Sequence, residues 1–506
     1  MSETSKAPEK WKSEQLRAER KARLARMKSK EGGKKQIKTS NPLTRLIVIA
    51  VLIVALLLTG LWAVVRNGVP QRQLTAVTIG TTDIKAVDVN YYYYQQLSNY
   101  GLDPTDPESQ ATLKAASGIE GFKTNADYLK DQAIQALRQD VMLADQAAKN
   151  QMTLTAENEA LIDTYLTNLQ STAIQEGKTL DNYLISTFGP GMNIQALRRS
   201  IERLLLADQY AAEKVDSFTF NEDELQAGYE KAPEEYDSID YRIFYLAADI
   251  KTGATDAEKT KAMEEARKKA DEMLSRITDG DSFRQLCIEY AAEADQVTYR
   301  TEDASLMEHK LRSAVTITTH KNWLFDAERK SGDKTVLDST SGYYVILFQD
   351  RSRPEYERVN VRHILITADR ETATSEQIET AKKKAESILA EYLAGDKTDE
   401  AFAALAKANT ADSNAEQGGL YEGVYRGQMV KEFENWCFDP SRKIGDTGIV
   451  QTDFGFHVMY YAGQSGVDWI LNVTNTLKGE AYQEYLAEEA KNYAYSTHAF
   501  GYRFVG

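Results

Sequence analysis

Trp436-Cys-Phe-Asp-Pro-Ser-Arg-Lys-Ile-Gly-Asp446 is a near copy of Trp323-Leu-Phe-Asp-Ala-Glu-Arg-Lys-Ser-Gly-Asp333, which lies 113 residues earlier. A second pair of segments keeps the same offset: residues 339–345 end in Ser-Gly-Tyr-Tyr-Val, and residues 452–458 end in Phe-Gly-Phe-His-Val. Two matches at one offset indicate that a whole structural unit is duplicated.

Each copy opens with an apolar strand and closes with another, and helical periodicity lies between them. The opening strands are Val361-Arg-His-Ile-Leu-Ile366 and Tyr241-Arg-Ile-Phe-Tyr-Leu246. We therefore predict two tandem α/β modules of about 110 residues, at 236–350 and 356–464, joined by the linker Arg351-Ser-Arg-Pro354.

The chain is too long for a single core. Its 506 residues predict three or four domains, because single cores stop growing beyond roughly 250–300 residues. Apolar residues make up 42% of the sequence, which excludes wholesale disorder. Two cysteines exclude a disulfide scaffold, and five scattered histidines make a zinc site or other metal cofactor improbable. The predicted class is a multidomain α+β protein.

The N-terminal region has the charge pattern of a membrane anchor. Residues 1–45 hold fourteen Lys and Arg against five Glu, a net charge of +9, whereas the other 461 residues carry −24. Residues 46–65 contain no charged side chain, and a helix of that length spans roughly 30 Å, the hydrocarbon thickness of a bilayer. We predict an uncleaved transmembrane helix at 46–65, because no A-x-A cleavage site follows it.

The positive-inside rule then places the basic tail, 1–45, in the cytoplasm and everything after about residue 70 outside. A nucleic-acid-binding arm is the competing interpretation of the tail. Positive charge beside a membrane span is already explained, however, because it fixes the topology and binds anionic lipid. The sequence predicts the lipid bilayer as a partner and no nucleic acid. No cysteine lies near the span that could carry a lipid anchor instead.

Residues 71–234 show mainly helical periodicity after a short β entry. Tyr91-Tyr-Tyr-Tyr94 places aromatic side chains around much of one helix, which exceeds what one core face needs. Core packing is the default interpretation, and a surface for apolar peptide is the alternative. The terminal stretch 467–506 has one apolar stripe, so we expect it to be a closing helix that packs on the domain 71–234.

The second copy carries an ordered series of motifs. Val361-Arg-His-Ile is followed by Thr410-Ala-Asp412, by Gly418-Gly419, by Gly427-Gln-Met-Val-Lys-Glu-Phe433 and by Thr452-Asp-Phe-Gly-Phe-His457. This order and spacing resemble the parvulin family of peptidyl-prolyl isomerases over the whole of 356–464. The chain departs from the family at Leu420-Tyr421-Glu422, where the family has Asp-Leu-Gly, but this departure removes no residue of the implied catalytic set.

The resemblance assigns functional residues by position. It implies a polar catalytic set formed by His363, Asp412, Thr452 and His457. It also implies a pocket for the proline ring, formed by Gln428, Met429, Phe433 and Phe454. No metal or other cofactor is implied. Taken singly, the histidines would be satisfied core residues, and only the ordered set favours an isomerase site.

The implied reaction needs no nucleophile. Rotation about an X–Pro bond has a barrier of about 18–20 kcal/mol from amide resonance. A dry pocket favours the less polar twisted amide, and a polar set can steady its carbonyl and nitrogen. A Cys–His protease is the weaker alternative, because Cys437 falls in an apolar helix and is expected to be an inert buried thiol.

The first copy lacks the chemistry. Ile243, Ser339 and Tyr344 stand where the second copy has His363, Thr452 and His457, and the Gly-Gln-Met segment has no clear counterpart. We expect this degenerate module to bind chains or to act as a spacer.

The complete layout is similar to the SurA/PrsA/PpiD group of bacterial extracytoplasmic foldases, with 71–234 as a SurA-like helical chaperone domain. The resemblance implies a membrane-anchored isomerase and chaperone whose partners are unfolded or newly translocated polypeptides. The alternative is a holdase that uses both modules only for binding. A structural subunit of the secretion machinery has little support in the sequence, although that machinery is a partner to test.

Overall fold

The structure is a computed structural model that describes residues 17–22, 53–54, 59, 64–301 and 303–506. Most of the predicted transmembrane helix at 46–65 and most of the basic tail lie outside the described residues. Within the described ranges, no helix is both long and apolar enough to cross a membrane.

Chain contacts divide the described residues into two compact units. The first contains the residues up to Asp208 together with Asn492–Gly506, and the second is Gln209–Lys491. This division differs from the domain limits expected from the sequence, because residues 209–234 and 467–491 belong to the unit that holds the two modules.

The first part of the chain is mainly helical. Its elements are α1 (Val69–Gln73), β1 (Thr75–Ile79), β2 (Thr82–Lys85), α2 (Ala86–Asn99), α3 (Pro107–Lys114), α4 (Asn125–Lys149), α5 (Ala156–Gln175), α6 (Leu180–Phe188) and α7 (Ile194–Asp216). Helix α4 starts at a capping box, in which Thr124 and Asp127 satisfy each other's backbone N–H groups.

The tyrosine run of α2 belongs largely to the core. Tyr91, Tyr92 and Tyr93 are buried. The Tyr91 ring stacks on Phe188 at 5.9 Å, and the Tyr92 hydroxyl donates to the Asp140 carboxylate at 2.7 Å. Three of the four rings are therefore accounted for by packing rather than by an exposed peptide-binding surface.

Two short helices lead into the modules, and the first module follows. The elements are α8 (Glu222–Lys231), α9 (Pro233–Tyr236), β3 (Ser238–Ala247), α10 (Asp256–Arg276), α11 (Gly280–Tyr290), α12 (Gln296–Thr301), β4 (Leu306–Leu311), a 3-10 turn (Arg312–Ala314), α13 (Thr318–Leu324), β5 (Lys334–Ser339) and β6 (Gly342–Ser352).

The second module repeats this order after a four-residue gap, except that two helices rather than three follow its first strand and its 3-10 turn precedes its second strand. Its elements are β7 (Glu357–Thr367), α14 (Ser375–Ala394), α15 (Asp399–Asn409), a 3-10 turn (Ala415–Gln417), β8 (Leu420–Val424), α16 (Lys431–Cys437), β9 (Thr447–Thr452) and β10 (Gly455–Val467). The first helices of the two modules, α10 and α14, both begin at a threonine capping box, Thr255 and Thr374.

Each module is built on a four-stranded antiparallel sheet. The strand orders are β4-β3-β6-β5 and β8-β7-β10-β9, which are the same topology at two positions in the chain. In the second module, α14 and α15 cover one face of the sheet and α16 covers the other, so that each face has its own apolar core. The predicted α+β class and the tandem duplication are confirmed.

The end of the chain contributes to both units. Helix α17 (Asp468–Glu489) packs against α8 and α9 through the cluster of Tyr236, Trp469 and Val473. After a 3-10 turn (Ala490–Asn492), β11 (Tyr495–Thr497) adds to β1 as an edge strand of the sheet β11-β1-β2, and α18 (Ala499–Tyr502) follows.

We predict that Gly501→Ala destabilises the first unit. A Cβ at this position would lie 1.9 Å from the Thr75 carbonyl oxygen, so α18 must move away from β1. Overpacking of this kind costs typically 1–3 kcal/mol. Thermal unfolding followed by circular dichroism measures the effect.

The matched control is Gly479→Ala in α17, where nothing lies within 4 Å of an added Cβ. This change should be neutral or stabilising by up to about 1 kcal/mol, since Ala favours a helix over Gly. Equal unfolding temperatures for the two variants would contradict the close approach of α18 and β1.

Candidate functional site

Strands β7, β9 and β10 of the second module bring three polar side chains together in its interior. His363 lies on β7, Thr452 ends β9 and His457 lies on β10, and their exposed fractions are 2%, 4% and 5%. In the β7–β10 ladder, His363 pairs with Met459 and Leu365 pairs with His457. The two histidines are thus diagonal neighbours on the sheet face that α16 covers.

The two imidazoles are in direct contact. Their Nδ1 atoms are 3.0 Å apart, and the rings stack with centroids 5.2 Å apart and an interplanar angle of 22°. The Nε2 atom of His457 is 2.9 Å from the Thr452 hydroxyl oxygen. The Nε2 atom of His363 faces the Asp412 carboxylate at 3.4 Å, but this contact is not aligned as a hydrogen bond.

The contact between the two Nδ1 atoms needs one donor and one acceptor, so one neutral imidazole is protonated on Nδ1 and the other on Nε2. The Asp412 carboxylate, which can only accept, favours the arrangement with the His363 proton on Nε2. In that arrangement Nδ1 of His363 accepts from Nδ1–H of His457, and Nε2 of His457 accepts from the Thr452 hydroxyl. Thr452, His457 and His363 then form one oriented polar chain that ends beside the Asp412 carboxylate.

Burial keeps the imidazoles neutral. Loss of hydration lowers the pKa of His363 to about 4, opposed in part by the Asp412 carboxylate. Burial followed by repulsion from His363 lowers the pKa of His457, also to about 4. At neutral pH the site can therefore supply directed hydrogen bonds without introducing an imidazolium charge.

Tyr421 joins this set, although the sequence marked it only as a departure from the family pattern. It lies on β8, where its neighbour across the ladder is Val361. Its ring is 5.2 Å from the His363 ring, tilted by 32°, and its hydroxyl donates to Asp412 at 3.2 Å. The signal available in the sequence was a tyrosine on the predicted strand that follows the paired glycines.

The apolar side of the site is formed by α16 and the loop before it. Phe433 is buried and stands edge-on to both imidazoles, with centroid distances of 5.4 Å to each. Met429 is half-buried against the same apolar cluster. The predicted aromatic wall and its methionine neighbour are therefore adjacent to the polar chain.

Two predicted pocket residues have other surroundings. Phe454 is 58% exposed, so its ring is not buried with Phe433, and its backbone N–H donates to the Thr452 hydroxyl at 3.2 Å. The side-chain oxygen of Gln428 accepts from the Tyr425 backbone N–H at 3.1 Å and closes its own loop. A turn after β9 directs Phe454 outward, and strand alternation alone does not specify that direction.

The equivalent place in the first module has a different chemistry. Tyr344 occupies the position of His457 and packs on Tyr245, with ring centroids 4.7 Å apart. His320 occupies the position of Phe433, and its ring stands on Tyr344 at 4.5 Å. The first module thus has an aromatic ring where the second has His457, and an imidazole where the second has Phe433. Ile243 stands at the position of His363.

Neither cysteine has the environment of a nucleophile. Cys287 and Cys437 are buried free thiols, and burial raises the pKa of each to about 12. Both are protonated at neutral pH, which disfavours the cysteine protease alternative. Among the residues that the structure describes, no group of three or more His, Cys, Asp or Glu side chains is arranged to hold a metal ion.

Comparison with protein families decides what the modules are. The profile of the PPIC-type PPIASE domain, Rotamase_3, matches residues 245–352 and again residues 347–464. Both modules are therefore similar to parvulin-type domains. The predicted resemblance to parvulin foldases of the SurA and PrsA group is confirmed.

Two curated relatives of this chain are SurA chaperones. That of Hahella chejuensis is 26% identical over 300 residues, which cover 58% of this chain and 64% of the relative. That of Alkalilimnicola ehrlichii is 24% identical over 297 residues, with the same two coverages of 58% and 64%. The matched region therefore spans slightly less than two thirds of these relatives.

Similar solved structures include PrsA from Bacillus anthracis, which is 18% identical and is matched over 50% of this chain and 87% of its own. A chain from the structures of PEB4 and Cj1289, two SurA-like chaperones of Campylobacter jejuni, shares 13% identity over 83% of this chain and 96% of its own length. The TM-scores are 0.19 and 0.18, values too low to support an argument about arrangement or function.

We predict that the stability of the second parvulin domain falls as the pH is lowered from about 6.5 towards 4. Unfolded histidines titrate near 6.5, whereas His363 and His457 titrate near 4 when folded, so the unfolded state binds more protons across this window. Urea unfolding at a series of pH values measures the slope.

The ring protons of both histidines, followed by NMR, should show midpoints well below pH 6. Midpoints near 6.5, or a domain that becomes more stable as the pH falls through this window, would contradict the burial of the neutral pair.

Proposed function

We propose that the chain is a foldase whose second parvulin domain catalyses cis–trans isomerisation of X–Pro bonds. The observation that supports this proposal most strongly is the oriented polar chain, with His363 and His457 in contact, beside the buried ring of Phe433. Burial of two stacked imidazoles is costly for a fold, since each polar nitrogen needs a partner inside the protein. A role in recognising an amide explains why the domain keeps them.

The proposed mechanism is desolvation with directed polar contacts. The planar X–Pro amide is stabilised by charge separation between its oxygen and nitrogen, which water favours. Phe433 and Met429 would hold the proline ring in an apolar environment that disfavours this charge separation and lowers the rotation barrier. His363, Asp412, Thr452 and His457 would contact the carbonyl and the pyramidal nitrogen of the twisted amide.

Two residues receive roles different from those that their position in the family pattern implies. Gln428 would shape the loop that carries Met429, because its side chain is bound to the backbone of Tyr425. Exposed Phe454 would contact the substrate chain outside the proline pocket. Tyr421 would hold the Asp412 carboxylate next to His363.

The cellular role that we propose is assistance to secreted or envelope proteins. Support comes from the similarity of 300 residues to a SurA chaperone and from the uncharged segment 46–65 after a tail of charge +9. The chain would be anchored by one membrane-spanning helix, with the N-terminus cytoplasmic and both units outside. Its clients would be unfolded or newly translocated polypeptides, bound in part by the helical domain.

We predict that His457→Gln in the full chain lowers isomerase activity at least tenfold, measured on an Ala-Pro peptide, because the link between Thr452 and His363 is broken. The matched control is Tyr344→Phe, the equivalent position of the first module, which should leave the rate within about twofold. A typical enzymatic contact of this kind is worth roughly 10²–10³-fold.

Three outcomes separate the candidate functions. Loss of activity in the first variant alone supports the isomerase. An unmodified chain that prevents client aggregation without accelerating isomerisation would establish the holdase instead. Equal losses in both variants would show that the activity is not specific to the site in the second domain.

We also predict that protease added to cells with a permeable outer layer degrades the chain after about residue 70 and spares the basic tail. The reason is the charge asymmetry on the two sides of residues 46–65. Antibodies against the tail and against residues 356–464 follow the two parts. Protection of the second parvulin domain in such cells would reverse the orientation.

A further inference from the structure

The loop between β8 and α16 carries Gln428 and Met429, and the second module holds it at several points. The Gly427 backbone N–H donates to the Glu434 carboxylate at 2.6 Å, and the Arg426 backbone N–H donates to the Tyr356 hydroxyl at 3.0 Å. These contacts fix the nitrogen side of the Gly427 peptide.

The first module supplies the contact on the carbonyl side. The ammonium group of Lys310, on edge strand β4, donates to the Gly427 carbonyl oxygen at 2.8 Å. Farther along β4, Glu308 faces the Lys431 ammonium group at 3.8 Å. The loop that is proposed to hold the proline is therefore bound from both modules.

Gly427 also lies very close to the backbone of the first module. Its φ of +79° lies in the left-handed region, and an added Cβ would come 2.7 Å from the His309 carbonyl oxygen and 3.0 Å from that of Glu308. The groups in contact here are backbone atoms of β4 and of the loop. The distance between these two segments therefore does not depend on flexible side chains.

A cleft of about 320 Å³ lies between the two modules at this contact. Met307 and Lys310 line it from the first module, and Met429 and Lys431 line it from the second. Met429 also packs against the apolar cluster around Phe433, so one side chain is shared by the cleft and the proposed proline pocket.

The chemistry of the cleft fits an extended polypeptide with an apolar side chain. Its charged groups are largely paired: Asp303 with Arg242, Glu308 with Lys431, and Lys310 with a carbonyl oxygen. The two methionine side chains are flexible and polarisable, and they adapt to apolar groups of different shape.

We propose that the first module completes the substrate site of the second. Strand β4 forms the far wall of a subsite for client residues beside the proline, and Lys310 is a positioning residue that holds the Gln428–Met429 loop. This inference rests on the proposed function. It gives the degenerate module a role at the same site, although that module lacks the histidines.

The expected effect is on binding rather than on the chemical step. Without Lys310 the Gly427 carbonyl loses its partner and the loop gains freedom, whereas the polar chain from Thr452 to Asp412 makes no contact with β4. A long substrate that reaches the cleft should be affected more than a short one that ends at the proline pocket.

The test compares Lys310→Ala and Lys310→Arg in the full chain with the control Lys334→Ala. Lys334 lies in the same module and also donates to a backbone carbonyl, that of Ile277 at 2.5 Å, but within that module. Fluorescence anisotropy measures the Kd of a labelled tetrapeptide and of a labelled decapeptide, each with one Ala-Pro bond. Isomerisation assays give kcat and KM for both peptides.

Lys310→Ala should raise the Kd and KM of the decapeptide about three- to tenfold and those of the tetrapeptide by a smaller factor, because loosening of the Gln428–Met429 loop affects both peptides and loss of the subsite affects only the longer one. Lys310→Arg should recover most of the loss, and Lys334→Ala should match the unmodified chain. An unchanged Kd for the decapeptide in a folded Lys310→Ala variant would overturn the inference, and so would equal effects of Lys310→Ala and Lys334→Ala.

Failure of the proposed function gives a different pattern. If the unmodified chain binds the decapeptide without isomerising it, the isomerase proposal is wrong. The ratio of the decapeptide Kd of Lys310→Ala to that of the unmodified chain still tests whether the first module contributes a subsite. If it binds neither peptide, both proposals fall.

Discussion

The antiparallel pairing of β7 with β10 is the constraint on which the second module depends. It joins residues that are nearly a hundred positions apart and sets which side chains face α16. Because side chains alternate along a strand, a shift of one residue would move His363 and His457 to opposite faces. The register therefore creates the imidazole contact, and the apolar cores on both faces of the sheet stabilise the register.

The first module separates the requirements of the fold from those of the chemistry. It keeps the strand order, the two faces and the equivalent pairing of β3 with β6, while Ile243 and Tyr344 stand at the histidine positions. The fold thus does not need the buried imidazoles, which lose hydration energy when the module folds. Their presence in the second module therefore supports the proposed role in contacting a ligand.

Much of the fold was predictable because the sequence contains two copies of the same module. Matched segments at one offset gave two modules, and motifs in one order gave His363, Asp412, Thr452 and His457, which the structure brings together. The positions of Tyr421 and Phe454 were not predictable, since both depend on how a turn directs one side chain. The split of the helical region at residue 209 also has no local signal, because it depends on contacts between distant segments.

The ends of the two-module segment meet, and this restrains the modules relative to each other. Tyr236 precedes the first module and Trp469 follows the second, yet both lie in one apolar cluster. The Arg353 guanidinium in the linker lies between the rings of Tyr229 and Trp469, at 5.0 Å and 4.3 Å.

Entry, linker and exit of the two modules are therefore bound at one place in the second unit. The buried ion pair of Arg358 with Asp468, at 2.6 Å, fixes the start of β7 to the start of α17. A linker tied down in this way allows less relative motion than a free chain of the same length, since its conformational entropy is already lost. The contact of Lys310 with Gly427 then needs to order little more than two side chains and one loop, so that a single hydrogen bond suffices to bring the degenerate module into the substrate site of its neighbour.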